Sequence, residues 1–140
     1  MYLIDTNVIS ELRKKNKANP GVQSFFHTAE QQSSPLFLSV ITVGELRLGV
    51  EKIRYRGDHI QAKKLETWLN TLAGEYHNRI LDFGSTEAQV WGKLRVPHYE
   101  NAMDKQIAAT AIIYDLVVVT RNAADFTGTG ANVLNPFSKQ

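Results

Sequence analysis

Met103-Asp104-Lys105-Gln106-Ile107-Ala108-Ala109-Thr110-Ala111-Ile112-Ile113-Tyr114-Asp115-Leu116-Val117-Val118-Val119-Thr120 decides the fold. Ile107, Ala108, Ala111 and Ile112 recur at helical spacing, and the small alanines permit close packing of a helix over residues 103–116. That helix feeds directly into Val117–Thr120, a β-branched run apolar on both faces, as a strand buried on both sides must be. The same grammar recurs outward along the chain. Tyr2-Leu3-Ile4 is a short strand followed by the turn-forming Asp5-Thr6-Asn7 and by Val8, Ile9 and Leu12 at helical spacing. Leu36–Val40 is a second strand, leading through Thr42 into a helix with Leu46, Val50 and Ile53 that stops near Gly57. Leu65, Trp68, Leu69 and Leu72 mark an amphipathic helix over 60–72. Arg79–Phe83 reads as a third strand before a helix with Ala88, Trp91 and Leu94, which must end before Pro97; Asn132–Leu134 reads as a last short strand. Alternating apolar strands and helices predict an α/β fold of three layers, a central parallel sheet flanked by helices on both faces.

With 140 residues, 43% of them hydrophobic, the chain suffices for one core, so residues 1–140 are expected to form a single domain. No apolar run approaches the roughly 18 residues of a membrane span, and Asp5 interrupts any secretory leader, so a cytoplasmic protein is expected. There is no cysteine, which excludes disulfides, thiolate metal sites and thiol nucleophiles. Net charge is +2, yet setting aside the four carboxylates singled out below leaves 10 acidic against 16 basic residues. A basic surface around an acidic pocket suits a polyanionic substrate. The local basic runs are Arg13-Lys14-Lys15 with Lys17, Arg54 with Arg56, and Lys63-Lys64; taken one at a time, an ordinary solvated helix face is the better reading of each.

In open parallel sheets ligands bind outside the carboxyl ends of the strands. Asp5 ends the first strand, Glu45 lies in the first turn after the second, Asp125 follows the strand at 117–120, and Asp104 begins the helix that returns to that strand. A right-handed crossover brings this last helix start to the same end of the sheet. Four carboxylates in one pocket repel, and a divalent cation removes the conflict. Hard oxygen donors favour Mg²⁺, with Mn²⁺ as a substitute; such an ion polarises a phosphoryl oxygen and acidifies a water. Phosphodiester hydrolysis by in-line attack of that water leaves 5′-phosphate and 3′-hydroxyl ends without need of a 2′-hydroxyl. Each residue also has a local structural reading. Asp5 suits an N-cap, Thr42–Glu45 a capping box, Asp104 the positive end of a helix dipole, and Asp125 an Asx-turn.

The order of four blocks goes beyond those local readings. Leu-Ile-Asp-Thr-Asn-Val-Ile-Ser-Glu-Leu at 3–12, Leu-Ser-Val-Ile-Thr-Val-Gly-Glu-Leu at 38–46, Met-Asp-Lys-Gln-Ile-Ala-Ala-Thr-Ala at 103–111 and Val-Val-Val-Thr-Arg-Asn-Ala-Ala-Asp-Phe at 117–126 resemble the PIN-domain ribonuclease toxins of type II toxin–antitoxin modules, the VapC and FitB-like proteins. Gly128-Thr129-Gly130 and Asn135-Pro136-Phe137 resemble the tail of the FitB-like branch. The resemblance spans nearly the whole chain. It implies a PIN-like domain and a Mg²⁺-dependent endoribonuclease, with Asp5 and Asp104 as principal metal ligands. Glu45 would bind a second ion or position the water, and Asp125 would bind metal directly or through water. Thr120 and Asn122 would orient the carboxylates through side-chain hydrogen bonds, while Thr6 and Asn7 hold the Asp5 loop. The family places an acidic residue after the phenylalanine of Asp82-Phe83-Gly84, where this chain has none, so Asp82 receives no role. The implied partners are an RNA substrate, a cognate antitoxin whose arginine occupies the acidic site, operator DNA reached only through the antitoxin, and a second copy in a homodimer. Phe25, Phe26, Val50 and Ile53 are candidate partner surfaces, with ordinary core as the competing reading.

Two other functions remain open at this point: a co-repressor that tightens an antitoxin on DNA without cleaving RNA, and a receiver-like domain phosphorylated on Asp5. His27, His59, His77 and His98 show no ligand spacing, and no phosphate-binding Gly-x-x-x-x-Gly-Lys loop is present. Trp68 and Trp91 sit at core spacing.

Overall fold

A computed structural model describes residues 1–138. Five strands, β1 (Tyr2–Ile4), β2 (Leu36–Ser39), β3 (Ile80–Leu81), β4 (Val117–Val119) and β5 (Val133–Leu134), form one sheet in the order β3-β2-β1-β4-β5. Every pairing is parallel, with Leu3 opposite Phe37 on one side and Val118 on the other. Because β1 is central, Leu3 and Ile4 are fully buried, as are Val118 and Val119 beside them. Successive residues of a strand face opposite sides, and two cores follow from that alternation. Ile4, Leu38 and Val119 pack with Val8, Val22, Leu46, Leu65 and Leu69 on one face; Leu3 and Val118 pack with Ile107, Ala108, Ala111 and Phe126 on the other.

Six helices cover the sheet: α1 (Thr6–Glu11), α2 (Pro20–Gln31), α3 (Val40–Tyr55), α4 (His59–Glu75), α5 (Ser85–Leu94) and α6 (Ala102–Tyr114). This is the expected three-layer α/β arrangement. Helix α6 runs back to its strand, so its start lies at the carboxyl end of β4. Its alanines 108 and 111 are buried against the sheet, which larger side chains would hold off.

Three local expectations differ from the structure. Helix α3 begins directly where β2 ends, with Ser39 as its cap donating nothing and accepting from Ile41 N. Thr42 is therefore inside the helix, its hydroxyl buried without a partner, and Glu45 sits a turn further along than expected. The third strand is only Ile80–Leu81, because His77–Arg79 form a 3₁₀ turn whose Arg79 guanidinium donates to Leu36 O across the sheet edge. Of the four candidate partner-surface residues, Val50 is buried in the chain's own core, while Phe25, Phe26 and Ile53 pack against that core and stay half-exposed. No described helix is long and apolar enough to cross a membrane.

Candidate active site

The carboxyl ends of β1 and β4 are adjacent, and a polar network grows from their junction. Asp5 N donates to Val119 O (2.9 Å), which fixes the residue as β1 turns into α1. Its side chain caps that helix, Oδ1 accepting from Thr6 N at 2.8 Å. The other oxygen, Oδ2, accepts from the fully buried Thr120 hydroxyl at 2.8 Å and from Asn7 Nδ2 at 3.5 Å. Thr120 Oγ1 in turn accepts from Asn7 Nδ2 and from Asn122 N. Asn7 Oδ1 takes the backbone N–H of Arg121, so Asn7 clamps the β1 and β4 turns together. Asp5 thus serves as a cap and as the centre of this network at once.

Glu45 reaches the same place from α3. Its Oε1 accepts from Thr6 Oγ1 at 2.7 Å, not from anything near Thr42, so the capping-box reading fails; Oε2 has no hydrogen-bond partner among the described residues. Asp104 enters in the first turn of α6 and Asp125 in the 3₁₀ turn Ala123–Phe126. Burial pushes the Asp104 carboxyl up to about 6, with the charges of Asp5, Asp125 and Glu45 adding to the rise. Burial also raises Asp5, against the pull of its hydrogen bonds from Thr120 and Thr6, and the Asp125 charge adds to that rise. Glu45 is raised by burial and then by the Asp5 charge, despite its bond from Thr6. Residues 5, 45, 104 and 125 therefore share one electrostatic neighbourhood, and none of them has a basic partner within ion-pair distance among the described residues.

An all-oxygen, uncompensated donor set of this kind fits a hard divalent cation. The described residues hold no group of three or more His, Cys, Asp or Glu side chains closed into a metal cage.

Asn122 differs from expectation: its backbone N–H, not its side chain, enters the network. Sequence reading also missed what steers Asp104. The buried Lys105 ammonium donates to His98 O, Trp91 Nε1 donates to Ala102 O at 2.9 Å, and Arg95 donates to Tyr99 O at 3.0 Å. These three side chains fasten the loop that delivers Asp104 to the start of α6. Only the position of Lys105, next to a candidate ligand on the buried face of a helix, signalled it in the sequence. Asp82 and the four histidines are exposed, apart from the carboxylates.

Comparison with known proteins follows the same geometry. The PIN-domain family profile matches residues 2–130. The toxin FitB of Neisseria gonorrhoeae is 33% identical over 98% of this chain and 99% of its own length. The VapC ribonuclease Y4jK of Sinorhizobium fredii is 31% identical over 98% of each chain. Among solved structures, FitAcB from Neisseria gonorrhoeae superposes with a TM-score of 0.77 at 32% identity, covering 97% of this chain and 98% of that one. FitAB bound to an IR36 DNA fragment gives 0.74 at 29% identity, covering 100% and 98%.

Proposed function

This chain belongs to the PIN-domain family, and from that premise we propose that it is a Mg²⁺- or Mn²⁺-dependent endoribonuclease, the toxin of a type II toxin–antitoxin module acting in the cytoplasm as a single domain. The observation that carries the reading is the gathering of Asp5, Glu45, Asp104 and Asp125 at the carboxyl edge of the sheet, within reach of one another's charge and with no basic partner at ion-pair distance among the described residues. Repulsion between the buried Asp5 and the half-buried Glu45, Asp104 and Asp125 is costly to keep unless a cation is meant to relieve it.

In this reading Asp5 and Asp104 are the principal ligands, and Glu45 and Asp125 complete the acidic set. A bound Mg²⁺ or Mn²⁺ supplies the positive charge that masks the carboxylates, polarises the scissile phosphodiester and acidifies the attacking water. The chain's own groups do the rest. Thr120 Oγ1 and Thr6 N occupy one lone pair on each Asp5 oxygen and hold the carboxylate plane still. Thr6 Oγ1 holds Glu45 through Oε1 and leaves Oε2 open to orient a water and take its proton, a task that an upward-shifted carboxylate suits. In-line attack then leaves 5′-phosphate and 3′-hydroxyl ends. Thr6, Asn7, Thr120 and the Asn122 backbone act through these carboxylates as positioning groups.

The relatives' partners extend the proposal. FitAB is solved on DNA, and a chain alike over its full length is proposed to bind a cognate antitoxin, to reach operator DNA through it and to pair with a second copy of itself. Helix α6 exposes Met103 and Tyr114 along one stripe, and the loop before it exposes Val96 and Tyr99, apolar side chains available for such pairing. The direct test is cleavage of end-labelled structured RNA by the antitoxin-free protein in Mg²⁺, Mn²⁺ or EDTA, beside Asp5→Asn and Asp104→Asn. Metal-dependent cleavage with 5′-phosphate ends, lost in both variants, is the expected result; activity in EDTA or in both variants overturns the mechanism.

A further inference from the structure

On the side of the network away from α3, the structure holds a polar cleft of roughly 690 Å³, within the size range of ligand pockets. Lys14, Lys17 and Arg121 line it beside a single carboxylate, Glu11, with Asn19 and Phe137. Its frame is built. Asn19 Oδ1 accepts from Gly21 N (2.9 Å) and Ser138 N (3.0 Å), and Asn19 Nδ2 donates to Ser138 O. The tail crosses so near α2 that a Cβ on Gly21 would meet Pro136 O at 2.2 Å. Asn135 Nδ2 donates to Arg121 O, tying the tail to the turn after β4.

The charges in this frame are not balanced internally. Glu11 pairs with Lys14 at 3.0 Å, but Lys17 and Arg121 have no carboxylate at ion-pair distance among the described residues. The Arg121 guanidinium lies over the Phe137 ring, 4.9 Å from its centre, which orients the planar group while leaving its edge N–H donors open for a bidentate acceptor. Lys15 between the lysines is held at φ 54°, ψ −122°, a strained conformation for a residue with a Cβ, in the turn that presents Lys14 and Lys17 to the cleft. Two hydrogen bonds join the cleft to the carboxylate network, since Arg121 N bonds Asn7 Oδ1 and Asn7 Nδ2 bonds Asp5.

We infer that this cleft is a phosphate-binding subsite for the RNA strand flanking the scissile bond, with Arg121 and Lys17 holding backbone phosphates. The inference rests on the ribonuclease reading. A single-stranded polyanion is favoured over an acidic protein segment because the lining is polar, the free donors are guanidinium and ammonium, and Arg121, a lining residue, is joined through Asn7 to Asp5, one of the carboxylates that a phosphodiester must reach.

The test is fluorescence anisotropy of a labelled single-stranded oligoribonucleotide in EDTA, where binding is read without cleavage, at several salt concentrations. Lys17→Gln/Arg121→Gln is expected to weaken binding about tenfold near physiological salt and to flatten the log Kd against log salt slope by about 1.4, two phosphate contacts on a single strand. Arg121→Lys alone is expected to keep the slope and lose part of the affinity. Lys63→Gln/Lys64→Gln, a charge-matched change on α4, is expected to leave both unchanged. Equal slopes for wild type and the Lys17/Arg121 variant overturn the subsite, as does loss of polyglutamate binding with RNA binding intact, which would hand the cleft to an acidic partner. Failure of the wild type to cleave any RNA in Mg²⁺ would instead defeat the ribonuclease reading, so the two failures are distinguishable.

Discussion

Two groups of acidic side chains in this molecule meet opposite fates. On the outer face of α3 and α4, Glu51 and Glu66 lie among Arg47 and Arg54, with N–O distances from 2.5 to 3.3 Å, and hydrogen bonds from these arginines hold both carboxyls below their usual range. At the carboxyl edge of the sheet, Asp5, Glu45 and Asp104 are pushed upward, by burial first and by one another second. The first group is complete as it stands. The second has no basic partner at ion-pair distance among the described residues, a difference that the proposed cation would account for.

Removing a carboxylate from the second group breaks the comparison most severely. Asp104→Asn and Asp5→Asn are each expected to lower Mg²⁺-dependent RNA cleavage by at least about a hundredfold. The same Asp104→Asn change is expected to raise the melting temperature of the metal-free protein at neutral pH, because it relieves repulsion. Mg²⁺ should raise the wild-type melting temperature by mass action and move that of the variant far less. A wild-type melting temperature indifferent to Mg²⁺ and Mn²⁺ would mean that the carboxylates do not await a cation.

The pH dependence has a determined sign. Asp104 binds its proton more tightly in the folded chain than in the unfolded one, so between its ordinary value of 3.8 and about 6 the folded state carries the extra proton. Metal-free stability from this group is therefore greatest at low pH and falls as pH rises through that window. Cation binding needs the ionised form and runs the other way. Cleavage is expected to rise with pH through about 6, while the Asp104→Asn protein loses less metal-free stability over the same range than wild type does. A parallel decline of both proteins in scanning calorimetry would detach the titration from Asp104.

A smaller effect is expected one bond further out. Thr120→Val keeps the shape of a fully buried residue but removes the 2.8 Å donor to Asp5 Oδ2 and the acceptor used by Asn122 N. The expected result is Mg²⁺ affinity weakened about 10- to 100-fold, read from the metal dependence of cleavage, with maximal rate recovered at high Mg²⁺. Unchanged metal dependence would leave Thr120 as packing alone.

How much of this was legible in the sequence depends on the range of the contact concerned. The central strands were plain, because Leu3-Ile4 and Val118-Val119 must be apolar on both faces to lie inside a parallel sheet. The arrival of Asp104 beside Asp5 followed from handedness alone. Glu45 was harder, since Thr42-x-x-Glu45 offers a local partner, and the actual one, Thr6, lies 39 residues upstream. Only tertiary folding could choose between them, and Ser39 had already taken the cap because helix and strand meet without a loop. The buried Lys105 and the Glu87 side chain that accepts from Gly84 N read as surface charges in a sequence, for their partners are backbone groups that no pattern names. The third strand shortened for a related reason, as Arg79 left the ladder to donate to Leu36 O.

The first group of acids yields the smallest prediction and the sharpest control. Glu66 accepts from Arg47 at 2.6 Å and lies 3.2 Å from Arg54, so by distance it is well paired. Its surroundings are solvent, however, and water screens what geometry offers. Glu66→Gln is expected to lower the melting temperature by at most about 3 °C at low salt, with the loss shrinking as salt rises, and to leave cleavage at the wild-type rate. The contrast with Asp104→Asn is the point: removing a well-paired carboxylate should destabilise slightly and spare activity, while removing an unpaired one should stabilise the metal-free protein and abolish activity. Were both substitutions to move stability in the same direction, pairing would not be what separates the two groups, and the upward shift of the buried acids would reflect burial without a cation site.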